Sequence, residues 1–179
     1  MDSAAQPLPD HAALRRQDHA AFAAVVRAHQ NTILGLAESL GLRGPDADDA
    51  AAEAFVQVYR ALPNFRGDAA LATWVYRIAY RTILRQRHRR PRAAEAIAEN
   101  LPASEPPVTE SAAQKEQFQL LWRAVEKLEP RQASAIELFY RRELSIEEIA
   151  QIMDCPTGTI KTLLFRGRKK LQEILTPPP

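Results

Sequence analysis

Two stretches of the chain concentrate positive charge. Residues 81–92 carry six arginines and no acid. Cys155 to Gln172 carries Lys161, Arg166, Arg168, Lys169 and Lys170, again with no acid. Cations packed this densely engage phosphate, and two such stretches predict phosphate contact at two places. Catalysis would need other residues: a nucleophile beside a base, paired carboxylates in a pocket, or a metal-ligand set. The four histidines, His11, His19, His29 and His88, fall into no such set. His29 lies on the apolar side of a helical pattern, where a packed or half-exposed imidazole is expected. Cys155, the single cysteine, has no histidine near it in sequence and reads as a packed or turn thiol. The six glycines form no phosphate-binding loop. The sequence therefore predicts no enzyme, no cofactor and no metal site.

The second basic stretch ends a helix-turn-helix pattern. Ser145-Ile-Glu-Glu148 is a capping box opening a short amphipathic helix that stops near Asp154. A turn over Pro156 to Gly158 leads into a longer basic helix, the order that a helix-turn-helix requires. The N-terminal residues of its second helix would face base edges in the major groove: Thr157, Gly158, Thr159, Lys161 and Thr162. Arg166 and Arg168 follow one or two turns later, nearer the phosphates. Gly158 permits close backbone approach, and Thr and Lys hydrogen-bond bases or phosphates. An ordinary helical hairpin is the competing reading of this segment.

The first basic stretch has aromatics interleaved with it. Phe65, Trp74, Tyr76 and Tyr80 surround Arg66, Arg77, Arg81 and Arg85. A cationic groove with aromatic platforms suits the unstacked bases of a single strand. Trp74 lies on an apolar stripe and is expected in the core. Tyr76 and Tyr80 fall off that stripe and are expected at the surface.

The elements that position these residues are helical by period, with no strand alternation. Phe22, Val25, Val26, His29, Ile33, Leu36 and Leu40 recur at spacings of three and four. Gly41 and Gly44-Pro45 break the chain, and a second helix starts near Asp46 to Asp49, where acids favour the positive helix end. A third runs from about Ala70 to Arg90. Past the middle, Phe118, Leu121, Trp122, Val125 and Leu128 form a stripe expected to close at Pro130, followed by a short helix over Ala133 to Tyr140. Between the two segments, Pro91 to Gln117 holds four prolines and few apolar residues, the composition of a flexible linker, with a short helix possible around Arg92 to Asn100. The expected fold is all-α: two small helical domains joined by that linker, the C-terminal one containing the helix-turn-helix. The boundaries are a mobile tail over 1–17, a first domain over 18–92, the linker over 93–116, a second domain over 117–175 and a tail over 176–179.

Length and charge fit this plan. The 179 residues are 46% apolar, typical of a folded soluble chain. No run approaches the ~18 apolar residues of a membrane span, and Met1 to Asp10 does not read as a secretory signal. One cysteine excludes an internal disulfide, so the cytoplasm is the expected compartment. The net charge of +2 resolves along the chain. Residues 1–80 carry 7 basic and 9 acidic groups, residues 81–92 carry 6 and none, residues 93–116 carry 1 and 5, and residues 117–179 carry 10 and 8.

The segments Phe65 to Arg90, FRGDAALATWVYRIAYRTILRQRHRR, and Leu128 to Leu171, LEPRQASAIELFYRRELSIEEIAQIMDCPTGTIKTLLFRGRKKL, resemble a known family. The first is similar to the promoter-melting region of extracytoplasmic-function (ECF) sigma factors, of the sigma-70 family. The second is similar to their C-terminal promoter-reading domain. The resemblance covers about residues 18–90 and 118–175. It implies a sigma factor that binds core bacterial RNA polymerase through clamp and flap and directs promoter-specific initiation. It implies −10 contacts from the loop Arg66 to Thr73 and the helix after it: Arg66, Asp68, Thr73, Trp74, Arg77, Tyr80, Arg81 and Arg85. The −35 duplex would be read by Thr157, Gly158, Thr159, Lys161, Thr162, Arg166 and Arg168. Asp49, Glu53 and Gln57, spaced by four on the acidic second helix, would meet the polymerase clamp. Ala52 stands where the family usually has Gln, Arg81 and Arg85 where it often has Asn, and Leu163 where it commonly has Arg. The resemblance also implies promoter DNA and an inhibitory anti-sigma factor as partners, no membrane insertion, and a monomer when free of partners. An autonomous helix-turn-helix regulator is the alternative, but it gives no role to Phe65 to Arg90.

Overall fold

The computed structural model describes residues 10–89 and 120–176. The expected linker over 93–116, and the short helix considered within it, lie outside the described residues. Four helices form the N-terminal half: α1 (His11–Arg15), α2 (His19–Ser39), α3 (Pro45–Ala61) and α4 (Leu71–Arg89). Four more form the C-terminal half: α5 (residues 120–125), α6 (Pro130–Ile136), α7 (Ile146–Met153) and α8 (Thr157–Leu175). Among the described residues there is no strand. The fold is all-α, in two small helical domains.

Local chemistry sets the ends of these helices. Asp18 opens α2 by accepting from the Ala21 N–H at 2.9 Å. Pro45 opens α3 at a position where its missing N–H costs nothing, and Asp46 and Asp48 sit in the first turn, at the positive end of the helix dipole. The buried face of α3 is Ala47, Ala50, Ala54 and Val58, small enough for α2 and α4 to approach closely. Part of the segment expected to be a mobile tail is helical. Leu14 of α1 is wholly buried, His11 meets the Phe65 ring edge-on at 5.0 Å, and Gln17 donates to the Tyr59 carbonyl at 2.8 Å.

The C-terminal half departs from expectation at Pro130. This residue was expected to close a helix, yet it opens α6 at the first helical position, where proline is well tolerated. The helix before it ends in turns at 126–128. The short helix expected over Ala133 to Tyr140 is in two parts: α6 passes into a single π turn, Glu137–Arg141. The capping box at Ser145 is formed. Glu148 N–H donates to Ser145 Oγ at 3.2 Å, and Ser145 N–H donates to Glu148 Oε2 at 2.9 Å. Asp154 ends α7 in the left-handed region, at φ 53°, which turns the chain sharply into α8. Helices α7 and α8 are the helix-turn-helix. α8 lies close on α6: a Cβ built on Gly167 would stand 3.1 Å from Ile136 Cγ1.

The two halves pack together. α4 lies along α7, and α2 lies against α6 and the π turn, within one continuous apolar core.

Candidate nucleic-acid interface

The turn and N-terminus of α8 present one cationic face. Thr157, Gly158, Lys161, Thr162 and Arg166 are exposed, and Thr159 is half-buried. Gly158 has open space around it, so nothing on the protein side blocks a close backbone approach. No side chain caps this helix, so its first N–H groups remain available to an anion. The Thr162 hydroxyl donates back to the Gly158 carbonyl at 3.0 Å. Arg168 is placed differently from its neighbours. Its Nε donates to Tyr140 Oη at 2.6 Å, and its guanidinium lies over the Phe139 and Tyr140 rings at 5.6 and 5.5 Å. It therefore ties α8 to the π turn. Leu163 packs against the core, extending the apolar face.

Sequence reasoning missed Phe165. It is 67% exposed, one turn after Lys161 and next to Arg166. An apolar ring in a major-groove face can meet a thymine methyl. Its signal was legible: Phe165 falls off the stripe Ile160, Leu164, Gly167 and Leu171 that the structure buries.

The first half presents α4 and the loop before it. Arg66 and Asp68 are exposed on the loop, which reverses at Gly67 with φ +80°. Phe65 is buried and Trp74 lies tilted on it at 5.0 Å, so Trp74 is half-buried packing. Arg77, Arg81 and Arg85 are exposed at spacings of four along one side of α4. Ile78, Arg81, Leu84 and Arg85 line a groove of about 470 Å³ with an apolar floor and cationic rim. Arg87 lies apart from this row, with its Nε 3.9 Å from a Cβ built on Gly41.

Two expectations about α4 are corrected. Tyr76 and Tyr80 were expected at the surface, yet they are 7% and 3% exposed. α4 is covered on more than one side, so residues off its first apolar stripe are buried by a second neighbour. Tyr76 turns to α2, donating to Thr32 Oγ1 at 3.2 Å and meeting His29 Nδ1 at 2.9 Å. Burial pushes its hydroxyl above the usual tyrosine range, and Thr32 and Arg142 partly offset this. Burial also lowers the half-buried His29. Tyr80 turns to the C-terminal half, where the Arg131 guanidinium faces its hydroxyl. Thr73 is also buried, with its hydroxyl at the Glu148 carboxylate. Arg81 pairs with Asp154 at 2.9 Å. Three of the eight residues expected to touch −10 DNA thus face the C-terminal half in this structure.

The acidic helix α3 places Asp49 outward and Glu53 and Gln57 half-buried. Gln57 Nε2 donates to Glu53 Oε1 at 2.6 Å. These two line a polar groove of about 480 Å³ with Thr82, Arg85, Gln86 and Arg89 of α4. Asp49 lines the adjoining hollow, of about 270 Å³, with Asp46, Gln86 and Arg89. The spacing of four does bring the trio to one side of α3. Val56, apolar and 42% exposed on the same helix, was missed; it too lies off the buried stripe. Among the described residues no cluster of His, Cys, Asp and Glu could hold a metal ion. No described helix is long and apolar enough to cross a membrane.

Two family models match the chain: Sigma-70 region 2 over residues 25–93, and Sigma-70, region 4 over residues 118–171. The RNA polymerase sigma-H factor of Pseudomonas aeruginosa is 36% identical over 177 residues, covering 92% of this chain and 91% of that protein. The ECF RNA polymerase sigma-E factor of Escherichia coli K12 is 35% identical over 175 residues, with coverage of 92% and 91%. Two solved structures share the fold. RpoE from Bartonella quintana, in complex with the anti-sigma factor NepR, matches with TM-score 0.68 at 22% identity, covering 88% of this chain and 98% of that one. CnrH, in complex with the cytosolic domain of CnrY, matches with TM-score 0.66 at 22% identity, covering 92% and 94%. Fold and cationic faces define a promoter-reading protein built from sigma-70 regions 2 and 4. The chain belongs to the ECF group of RNA polymerase sigma factors, and it directs promoter-specific transcription initiation. That family is not a family of enzymes.

Proposed function

We propose that the two cationic faces divide the promoter between them. The N-terminal end of α8 reads the −35 element as duplex through Lys161, Thr162 and Arg166, with Phe165 against a thymine methyl. The loop Arg66 to Thr73 and the row Arg77, Arg81, Arg85 hold the melted −10 strand. Asp49, Glu53 and Gln57 on α3 dock on the polymerase clamp, and the C-terminal half docks on the flap. The chain performs no catalysis of its own and works in the cytoplasm, where polymerase is found. An anti-sigma factor holds it inactive, in keeping with the complexes in which its structural neighbours were solved. One observation carries this reading: the exposed cations form two separate rows, one on each half, in the family's order.

The test is transcription from a promoter library with purified chain and core polymerase. Promoter opening that requires both components supports the reading. Tight operator binding by the chain alone, as a dimer, with no opening when core enzyme is added, overturns it in favour of an autonomous regulator. Lys161→Ala or Arg166→Ala should cost roughly 1–3 kcal/mol of −35 discrimination if either residue reads a base. An unchanged promoter profile would remove that residue from the reading face.

A further inference from the structure

Arg168 lies on a platform that the π turn supplies. Gly167 lets α8 settle on α6, and this brings the next residue over the turn. There Phe139 is half-buried and Tyr140 is 52% exposed, and their rings meet edge-on at 5.0 Å. The Arg168 guanidinium stands 5.6 and 5.5 Å from the two ring centroids, and its Nε donates to Tyr140 Oη at 2.6 Å. The hydroxyl and the rings thus occupy one edge and one face of the guanidinium. Its two Nη groups, with four N–H donors, have no partner among the described residues.

The charge on this platform is left unused within the chain. Elsewhere in the C-terminal half such cations are matched: Arg141 and Arg142 pair with Glu137, and Lys170 pairs with Glu173. Arg168 is exposed and has no carboxylate partner among the described residues. Its side of α8 is also informative. Seven residues after Lys161, it stands two helical turns further along the same flank, about 10 Å away on the axis. The N-terminal part of a recognition helix meets base edges, and later turns leave the groove past the backbone. We propose that Arg168 clamps a phosphate beside the −35 element, and that Tyr140 is the positioning residue that aims it. The proposal rests on the reading of the −35 duplex by α8.

Tyr140 acts by restricting Arg168 before DNA arrives. A free arginine gives up rotamer freedom to hold a phosphate, and one already stacked and bonded at Nε has less to lose. With Nε committed to Tyr140, the Nη pair is left to grip two phosphate oxygens side by side. Lysine lacks both the planar fork and the Nε–H. A phosphate carries no sequence information, so the clamp strengthens every promoter alike, whereas base contacts from Lys161 and Thr162 discriminate.

Holoenzyme assembled from core polymerase and the full chain tests the clamp, on a promoter duplex recovered from the library and across a KCl series. Arg168→Ala should weaken binding and lower the log–log salt slope by about 0.9, the loss of one phosphate contact on duplex. Arg168→Lys and Tyr140→Phe keep the charge. Each should hold the wild-type slope yet bind about threefold more weakly, the size of one modest hydrogen bond. In the Arg168→Ala background, Tyr140→Phe should add nothing. The ranking of promoters in the library should match wild type for every variant. Circular dichroism melts show whether each variant folds, and Tyr140→Phe and Arg168→Lys carry the test should Arg168→Ala not fold. Wild-type affinity and slope in Arg168→Ala would show that Arg168 holds no phosphate. A Tyr140→Phe effect that persists in the Arg168→Ala background, or no effect in either, would remove Tyr140 as its positioner. A re-ordered promoter ranking would assign Arg168 to a base instead. Failure of the promoter reading looks different: wild-type holoenzyme would open no promoter in the library, and the clamp would fall with it.

Discussion

Glu137 shows how much one side chain can depend on its surroundings. Burial pushes its carboxyl above the usual range, Arg141 and Arg142 pull it partly back, and Glu38 on α2 adds to the rise. Tyr76 on α4 faces Arg142, and His29 on α2 bonds to Tyr76. A folded-state value above the unfolded one means the native chain holds this proton more tightly. The resulting stability is fully present below about pH 4.5, the ordinary carboxyl value, and is lost as pH rises through the raised folded value. Glu148 has the opposite sign. The Ser145 N–H and hydroxyl hold its carboxyl below the usual range, so its contribution is present above about pH 4.5 and is lost as pH falls below that value. Urea midpoints from about pH 4.5 upward should fall for wild type relative to Glu137→Gln. A constant difference would show that folding leaves Glu137 ionisation untouched. Nothing in the sequence marked Glu137 or Gly35. Each is ordinary among its neighbours, and the meaning of each comes from a residue about a hundred positions away.

At the scale of elements, helices were the most legible part. Periodicity located α2, α3 and α4, and the Ser145 box located α7, because those signals are local. The ends that failed were those where one residue type serves two purposes. Pro130 can follow a helix or start one, and only the packing of α6 decides it. Tyr76 and Tyr80 failed because a stripe drawn for one neighbour says nothing of a second. The same distinction sharpens the expectation for α4. Arg77 and Arg85 are exposed on one side, whereas Arg87 lies at the end of α2 beside Gly41. Replacing Arg77 and Arg85 with Ala should lower the salt dependence of open-complex formation by about 0.7 in log–log slope for each phosphate no longer neutralised. Arg87→Ala should leave the slope near wild type. Equal effects from all three would mean the outward row does not define where the strand is held.

The whole molecule holds its two halves in one apolar core, a feature the charge pattern alone did not disclose. Periodicity assigns each half its own stripe, but the packing of α4 on α7 joins surfaces from either side of the expected linker. Unfolding should therefore be coupled. The chain has two tryptophans, and Trp74 and Trp122 stand one in each half. Single-tryptophan variants, Trp74→Phe and Trp122→Phe, should give coincident urea transitions. Separate transitions would show that the halves fold independently. The π turn Glu137–Arg141 bears on descent as well as on packing. Such a turn is a helix carrying one surplus residue, and deleting that residue rotates the downstream chain by about 100°. Arg142 would then swing away from Asn31 while both helices stayed whole. Among relatives, a one-residue gap at this place would be a heritable change in how the two halves meet, made without altering Lys161, Thr162 or Arg166.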